Sequence, residues 1–573
     1  MYSIEKNVQI LIAVLKANGI KKVIVSPGTT NISFVVSLVN DGGFEIYSAV
    51  DERGAAYIAC GLSSESGEPV VITCTGSTAS RNYYPALTEA FHRKLPILAV
   101  TASQDLIRCG NLSPQFIDRT IQPLDSVRMS VQVPIVRNSE DDYDATLKIN
   151  KAVLELFRHG GGPVHINLAS SYCTDFSTND LSSIRIINRI TYGNTFPSIG
   201  NREHIAIVVG NHQNFSKELT DAVDRFCETY NAIVITDHSS HYWGKYRVLP
   251  TIVSCQEMYK SKLMDIDLMI HIGEEHGDYY TEWALHPKEV WRISEDGEIR
   301  DTFKKLTKVF EMSELQFFLH YGDNSSSRDL NNSYYNEFKQ EMIDIYSCIP
   351  ELPFSNIWIA QQTIPLIPKN SCLELGVSNT MRSWTFFDFE SEIYTLANTG
   401  CRGIDGAIPT LLGMSLAKPE LIHFAVMGDL TFFYSFNVLG NRHVGKNLRI
   451  LLINNGSGSE FNLYPNRAYK IYDGDHKKIN EFIGAGEHTG ARSKFLVKHY
   501  AEDLGFKYLT ASSKEEYLKL LPIFLSPQNE ASYIFEVFTD LDDENLALMK
   551  IRRIKTDTSR VLKQKIKRII GKQ

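Results

Sequence analysis

Leu421-Ile-His-Phe-Ala-Val-Met-Gly-Asp-Leu-Thr431 and Leu448-Arg-Ile-Leu-Leu-Ile-Asn-Asn-Gly-Ser457 decide the fold of this chain. Each is an apolar run that stops at small polar residues, the pattern of a buried strand ending in a turn. A helical stretch from Phe432 to Val444 lies between them, so the two strands are expected to run parallel. Their carboxyl ends then share one sheet edge, where open α/β folds bind ligands. Asp429 brings a carboxylate to that edge and Asn455 an amide oxygen. Both are hard donors, suited to a divalent cation such as Mg²⁺ that grips a diphosphate. Either turn alone would be ordinary; the pair, on two such strands, is the signal.

The same alternation extends outward in both directions. Residues 1–180 contain candidate strands at Lys22–Val25, Phe44–Ser48, Pro69–Thr73, Ile97–Thr101 and Val164–Leu168, separated by helical stretches such as Ile10–Ala17 and Gly54–Leu62. Ser177–Asn201 is polar and reads as a linker. A second unit, residues 200–322, has strands at Ile205–Gly210, Ala232–Thr236 and Leu268–Gly273, and Asp323–Asn332 is a second polar linker. The third unit, 334–540, holds Asp429 and Asn455. The expected class is α/β, with three doubly wound parallel-sheet domains.

At 573 residues the chain exceeds what one core supports. Its net charge of −8 argues against a nucleic-acid binder, and nine scattered cysteines without CxxC spacing suit reduced thiols. Met1–Lys6 is polar and no apolar run approaches the ~20 residues of a membrane span, so a cytoplasmic location is expected. The segment 545–573 is a basic tail. Val561, Leu562, Ile566, Ile569 and Ile570 share one face if it is helical, which suits a solvated terminal helix or weak contact with an anionic membrane surface.

Within the first unit, Asp51-Glu52-Arg53 opens a helix directly after a strand, where an acidic pair favours the helix macrodipole. Ser26-Pro-Gly-Thr-Thr30 and Cys74-Thr-Gly-Ser-Thr78 are small, hydroxyl-rich turns at neighbouring strand ends. A carboxylate with small turns in the first unit, and a metal–diphosphate site in the third, describe a cofactor bridging two domains.

With these residues the chain resembles the thiamine diphosphate (ThDP)-dependent decarboxylase and carboligase superfamily. Within it the chain is similar to the synthases of 2-succinyl-5-enolpyruvyl-6-hydroxy-3-cyclohexene-1-carboxylate (SEPHCHC), which join a unit from 2-oxoglutarate to isochorismate. The matching segments are Asp51-Glu-Arg-Gly54, Tyr84-Pro-Ala-Leu-Thr-Glu-Ala90, Gly403-Ile-Asp-Gly406, Gly428-Asp-Leu-Thr431 and Asn454-Asn-Gly-Ser-Gly458. The resemblance implies a pyrimidine-binding domain, a central Rossmann-like domain and a diphosphate-binding domain, in a homodimer or homotetramer with sites between subunits. It implies that Glu52 bonds the aminopyrimidine and promotes the tautomer that deprotonates the thiazolium carbon. Gln115 would contact the reacting species. Asp429, Asn455 and the main-chain oxygen of Ser457 would hold Mg²⁺. Gly28, Thr75, Gly76, Ser77, Ser378, Gly428, Leu430 and Thr431 would line the cofactor, and Ile404 would wedge it into a bent shape.

The resemblance also implies arginines that grip the carboxylates of isochorismate, and here the chain departs. The loop that would carry one reads Thr29-Thr30-Asn31, the strand end Gln104-Asp105-Leu106, and the segment before the wedge Asn398-Thr399-Gly400. Of the anion-binding residues Ser378 and Arg382 remain. Bidentate arginines are the strong way to hold carboxylates, so an acceptor other than isochorismate is expected. Arg382 would hold the carboxylate of a 2-oxo acid, while Thr30, Asn31, Gln104, Asn379 and Glu460 suit a hydroxyl-rich acceptor. The expected activity is decarboxylation of a 2-oxo acid and transfer of the resulting acyl carbanion to an acceptor. The alternatives are a simple decarboxylase releasing an aldehyde, or SEPHCHC synthase itself.

Overall fold

In the computed structural model, which describes residues 1–323, 332–390, 392–488, 493–528 and 530–557, every paired strand runs parallel to its neighbours. The first sheet contains β1 (Lys22–Val25), β2 (Glu45–Ser48), β3 (Val70–Thr75), β4 (Ile97–Ser103), β5 (Met129–Val133) and β6 (Val164–Ala169), in the order β2-β1-β3-β4-β6-β5. Its two faces carry separate apolar cores. Helices Lys6–Ala17 and Ser139–Glu155 cover one with Val8, Leu11, Ile149 and Val153. Glu52–Ser66 and Tyr84–Arg93 cover the other with Ala55, Ala59, Leu87 and Ala90. Strands buried on both faces read as continuous apolar runs rather than alternating ones, which is why β3 is Val-Val-Ile-Thr-Cys-Thr.

The chain divides into two compact units. Residues 1–196 and 296–311 form one, 197–295 and 312–573 the other. The first also includes the parallel pair β7 (Asn188–Thr191) and β13 (Leu306–Glu311). The second contains β8 (Ile205–Val209), β9 (Ala232–Ile235), β10 (Arg247–Val248), β11 (Asp265–Ile272) and β12 (His286–Ser294), in the order β10-β9-β8-β11-β12.

The second unit also holds a six-stranded sheet of β14 (Ser371–Leu375), β15 (Tyr394–Leu396), β16 (Ile422–Gly428), β17 (Leu448–Asn454), β18 (Lys507–Ala511) and β19 (Tyr533–Phe538). Its order is β15-β14-β16-β17-β19-β18. Numbered from its own first strand this is 2-1-3-4-6-5, the winding of the first sheet. In both, the chain reverses direction between the first and third strands, and that switch point opens a crevice at the carboxyl edge.

Some elements differ from the sequence reading. The helix after β16 begins at Asp429 itself and ends in a 3₁₀ turn at Gly440, not at Val444. The stretch read as a linker, Ser177–Asn201, contains β7. Strand β5 went unread because it is a short edge strand with alternating polarity, and β12 because it opens on His-Pro-Lys-Glu. Helix Leu541–Arg552 is capped by Asp540 and ends with Arg552 against Glu257. Val561, Leu562, Ile566, Ile569 and Ile570 of the basic tail lie outside the described residues, as does most of the Asp323–Asn332 stretch.

Candidate active site

At the switch point of the second unit's six-stranded sheet, β14 and β16 hand over to two tight turns. Gly376 follows β14 in a tight approach; a Cβ there would lie 3.1 Å from that of Met427. Ser378 adopts φ 71°, then starts the helix Asn379–Trp384. Gly428 ends β16 in register with Ile453 of β17, which brings Asp429 beside the turn Asn454-Asn-Gly-Ser457. Between the turns lies a recess of about 170 Å³, lined by Ser378, Asn379, Ile404, Gly428, Asp429, Leu430, Thr431, Ser457 and Glu460, among others. Nine of the residues singled out from sequence thus share one cavity.

The donors there fit a hard cation. Asp429 is buried, and that burial pushes its carboxyl up to about 7, although the backbone N–H groups of Leu430, Asp429 and Gly456 favour the ionised form. Asn455 Oδ1 is buried without a hydrogen-bond partner. An unpaired buried carbonyl of this kind costs roughly 1–3 kcal/mol unless a ligand satisfies it. The Ser457 hydroxyl is committed, to Asn480 Oδ1 at 2.6 Å and Gly484 O at 3.0 Å, which leaves its main chain to serve a ligand. One carboxylate, one unpartnered amide oxygen and one main-chain carbonyl are thus the oxygen donors on these adjoining turns. Mg²⁺ takes such donors and completes its shell with water and phosphate oxygens.

At the polar end of the recess, Arg382 pairs with Glu460 at 2.8 Å, and Ser378 Oγ donates to the same Glu460 oxygen at 3.1 Å. Burial works against the Arg382 charge, and Glu460 more than restores it. Asn379 Nδ2 donates to Ser459 Oγ at 3.0 Å. Arg382 therefore does not stand free for a substrate carboxylate, as the sequence reading had it; a side chain of the same unit holds it. Two further side chains pack beside this pair. The Tyr279 ring lies 5.4 Å from the Arg382 guanidinium and 4.0 Å from that of Arg402, which also donates to His276 O at 3.1 Å. Arg402 is displaced in sequence from the expected arginine, and its place over Tyr279 is what the structure adds.

In the first unit the corresponding crevice lies between β1 and β3. Gly28 packs on Thr75 so closely that a Cβ would collide with Thr75 Cγ2. Gly76 likewise leaves room for the Arg119 guanidinium, which is buried and bonded to Asn167. Ser77 follows in the left-handed region, φ 64°. Glu52 opens the helix Glu52–Ser66, whose N-cap Asp51 accepts from Arg53 N and Gly54 N. Its charge is felt at Cys74, whose thiol burial pushes up to about 12 with Glu52 adding to the rise.

Thr30 and Asn31 take structural bonds here. Thr30 Oγ1 donates to Ala102 O at 2.6 Å, and buried Asn31 donates to Ser26 O at 3.1 Å. Gln104 donates to the Tyr172 hydroxyl at 2.7 Å. Gln115 is exposed on a loop with φ 62°.

Known proteins resemble this chain along nearly its whole length. Residues 6–128 match the N-terminal TPP binding domain of thiamine pyrophosphate enzymes. The chain is 29% identical to the SEPHCHC synthase of Phocaeicola vulgatus, over 96% of this chain and 98% of the relative. It is 29% identical to that of Bacteroides thetaiotaomicron, over 99% and 100%, and 27% identical to that of Flavobacterium johnsoniae, over 94% and 97%. The chain thus resembles thiamine pyrophosphate enzymes over residues 6–128 and, along nearly its whole length, proteins named SEPHCHC synthase.

Proposed function

We propose that this protein is a ThDP- and Mg²⁺-dependent carboligase that decarboxylates a 2-oxo acid and passes the resulting acyl unit to an acceptor less anionic than isochorismate. The observation that carries the reading is the switch-point recess lined by Asp429, Ser457 and Ile404, with the unpartnered Asn455 oxygen on the turn that supplies Ser457. When bound, the cofactor would supply an acidic thiazolium carbon, nucleophilic toward a 2-oxo group once deprotonated, and an electron sink for decarboxylation.

The residues divide the remaining work. Asp429, Asn455 and the Ser457 carbonyl would hold the metal. Gly428 caps the following helix, whose first-turn N–H groups, such as that of Thr431, would be donors for a diphosphate at the helix start. Ile404 supplies apolar bulk in the same recess. Glu52 would hold a proton for the pyrimidine ring, and Gln115 would reach the reacting carbon. Arginines for a dicarboxylate acceptor are scarce, and polar Asn379 lines the recess instead; this supports an acceptor rich in hydroxyls.

The functional particle would be a homodimer or homotetramer in the cytoplasm. Val50, Tyr57 and Ile58, which flank Glu52, are 83%, 48% and 54% exposed, an apolar surface that a second copy would cover. Among the described residues, no helix is long and apolar enough to cross a membrane.

The test is calorimetric titration with ThDP in the presence and absence of Mg²⁺, followed by product analysis with and without an aldehyde acceptor. Saturable, Mg²⁺-dependent binding and an acceptor-dependent ligation product are expected. A free aldehyde as sole product would replace the carboligase by a decarboxylase. Absence of binding would remove both.

A further inference from the structure

The recess contains an anion of its own. Two donors, the Arg382 guanidinium at 2.8 Å and the Ser378 hydroxyl at 3.1 Å, converge on one oxygen of Glu460. The other oxygen lies 3.5 Å from Asn466 Nδ2. A guanidinium and a hydroxyl converging on one carboxylate oxygen is how a protein recognises a carboxylate ligand. Here the ligand position is filled from within. The Arg382 and Glu460 side chains are only 15% and 30% exposed, so neither charge is fully solvated and each depends on the other.

Sequence context makes this specific to Glu460. It lies five residues beyond Asn455 on the turn that follows β17, and a short helix starting at Ser459 carries it into the recess. Arg402 does not replace Arg382 as a free cation, since it lies over Tyr279 and donates to His276 O.

We propose that Glu460 sets the charge selectivity of the site: by occupying the anion position beside Ser378 and Arg382, it admits 2-oxo acids with a single carboxylate and rejects those with a second one at the far end. The proposal rests on reading the recess as the reaction site. A distal carboxylate entering it must either sit beside Glu460, at like-charge separation, or displace it and strand a half-buried carboxylate. Either route disfavours the dicarboxylate by about tenfold or more. Removing the Glu460 charge should expose a ready-made carboxylate subsite.

The experiment compares wild type, Glu460→Gln, Glu460→Ala and Glu460→Asp, each first titrated with ThDP and Mg²⁺ to establish a folded, loaded protein. Two readouts follow. The first is kcat/KM for CO₂ release from pyruvate, with one carboxylate, and from 2-oxoglutarate, with two. The second is equilibrium binding of succinate followed by NMR, which needs no cofactor. Wild type and Glu460→Asp are expected to favour pyruvate and to bind succinate weakly. In Glu460→Gln and Glu460→Ala the 2-oxoglutarate/pyruvate ratio should rise about tenfold or more, with a matching gain in succinate affinity.

A wild type that uses 2-oxoglutarate as well as pyruvate would overturn the proposal. So would ratios and succinate affinities within about twofold of wild type in both neutral variants. Failure of wild type to bind ThDP would instead sink the cofactor reading, while the succinate comparison would still decide the role of Glu460.

Discussion

Replacing Asp429 by asparagine should stabilise the metal-free protein while destroying its cofactor site. The carboxyl rises from 3.8 to about 7 because it is buried. A rise of roughly three units corresponds to about 4 kcal/mol of penalty on the ionised form, an upper bound of which about 1–3 kcal/mol should survive structural relaxation. For an acid raised in the folded state, the penalty appears only where the unfolded chain would be ionised. It is therefore absent below about pH 4, grows between about pH 4 and 7, and is constant above. Asparagine keeps the shape and an acceptor for the backbone N–H groups without the charge.

The assay is unfolding in chelator at about pH 4 and about pH 8, beside ThDP titration with Mg²⁺. Asp429→Asn should match wild type at the lower pH and exceed it at the higher, while its ThDP affinity falls at least about 100-fold. A variant less stable than wild type at about pH 8 would mean that the carboxylate is a structural acceptor rather than a strained ligand. Unchanged ThDP affinity would refute the metal assignment.

Other substitutions test separate parts of the account. Glu52→Gln should lower turnover by about 10²–10⁴-fold with ThDP affinity little changed; loss of folding would make Glu52 structural. Gly28→Ala should destabilise by about 1–3 kcal/mol through collision with Thr75 Cγ2. Thr75→Ser removes that methyl, so the double variant should recover most of the loss in denaturant unfolding, and no recovery would contradict the contact. Arg449 is fully buried and donates to the main-chain oxygens of Lys446, Leu448, Gln528 and Ala531. Arg449→Met should cost about 2–4 kcal/mol by leaving those acceptors unpaired, and an unshifted denaturation midpoint would oppose this.

The strands flanking Asp429 and Asn455 were legible because parallel strands buried on both faces leave unbroken apolar runs, as in Leu448-Arg-Ile-Leu-Leu-Ile453. The exception inside that run, Arg449, is buried with its charge on main-chain oxygens that sequence spacing does not reveal. Two edge strands leave no such run, since β5 alternates and β10 is two residues long.

At the site, Ser378, Ile404 and Asp429 sit in one recess because each follows a strand or precedes a helix at the same switch point. Glu460 shows the limit of sequence reading. Its residue type suggested a partner for hydroxyls, but its pairing with Arg382 depends on two turns about 80 residues apart meeting in space. Thr30 and Asn31 show the converse, since side chains suited to a substrate are committed to main-chain oxygens, Thr30 to Ala102 on β4 and Asn31 to Ser26 in its own turn.

The most direct test of the central claim is CO₂ release by the purified protein from a panel of 2-oxo acids, pyruvate and 2-oxoglutarate among them, with Glu52→Gln as the blank. The account predicts release that requires both ThDP and Mg²⁺, exceeds the blank, and is faster from pyruvate than from 2-oxoglutarate. No release above the blank from any 2-oxo acid, by protein shown to hold the cofactor, would contradict it.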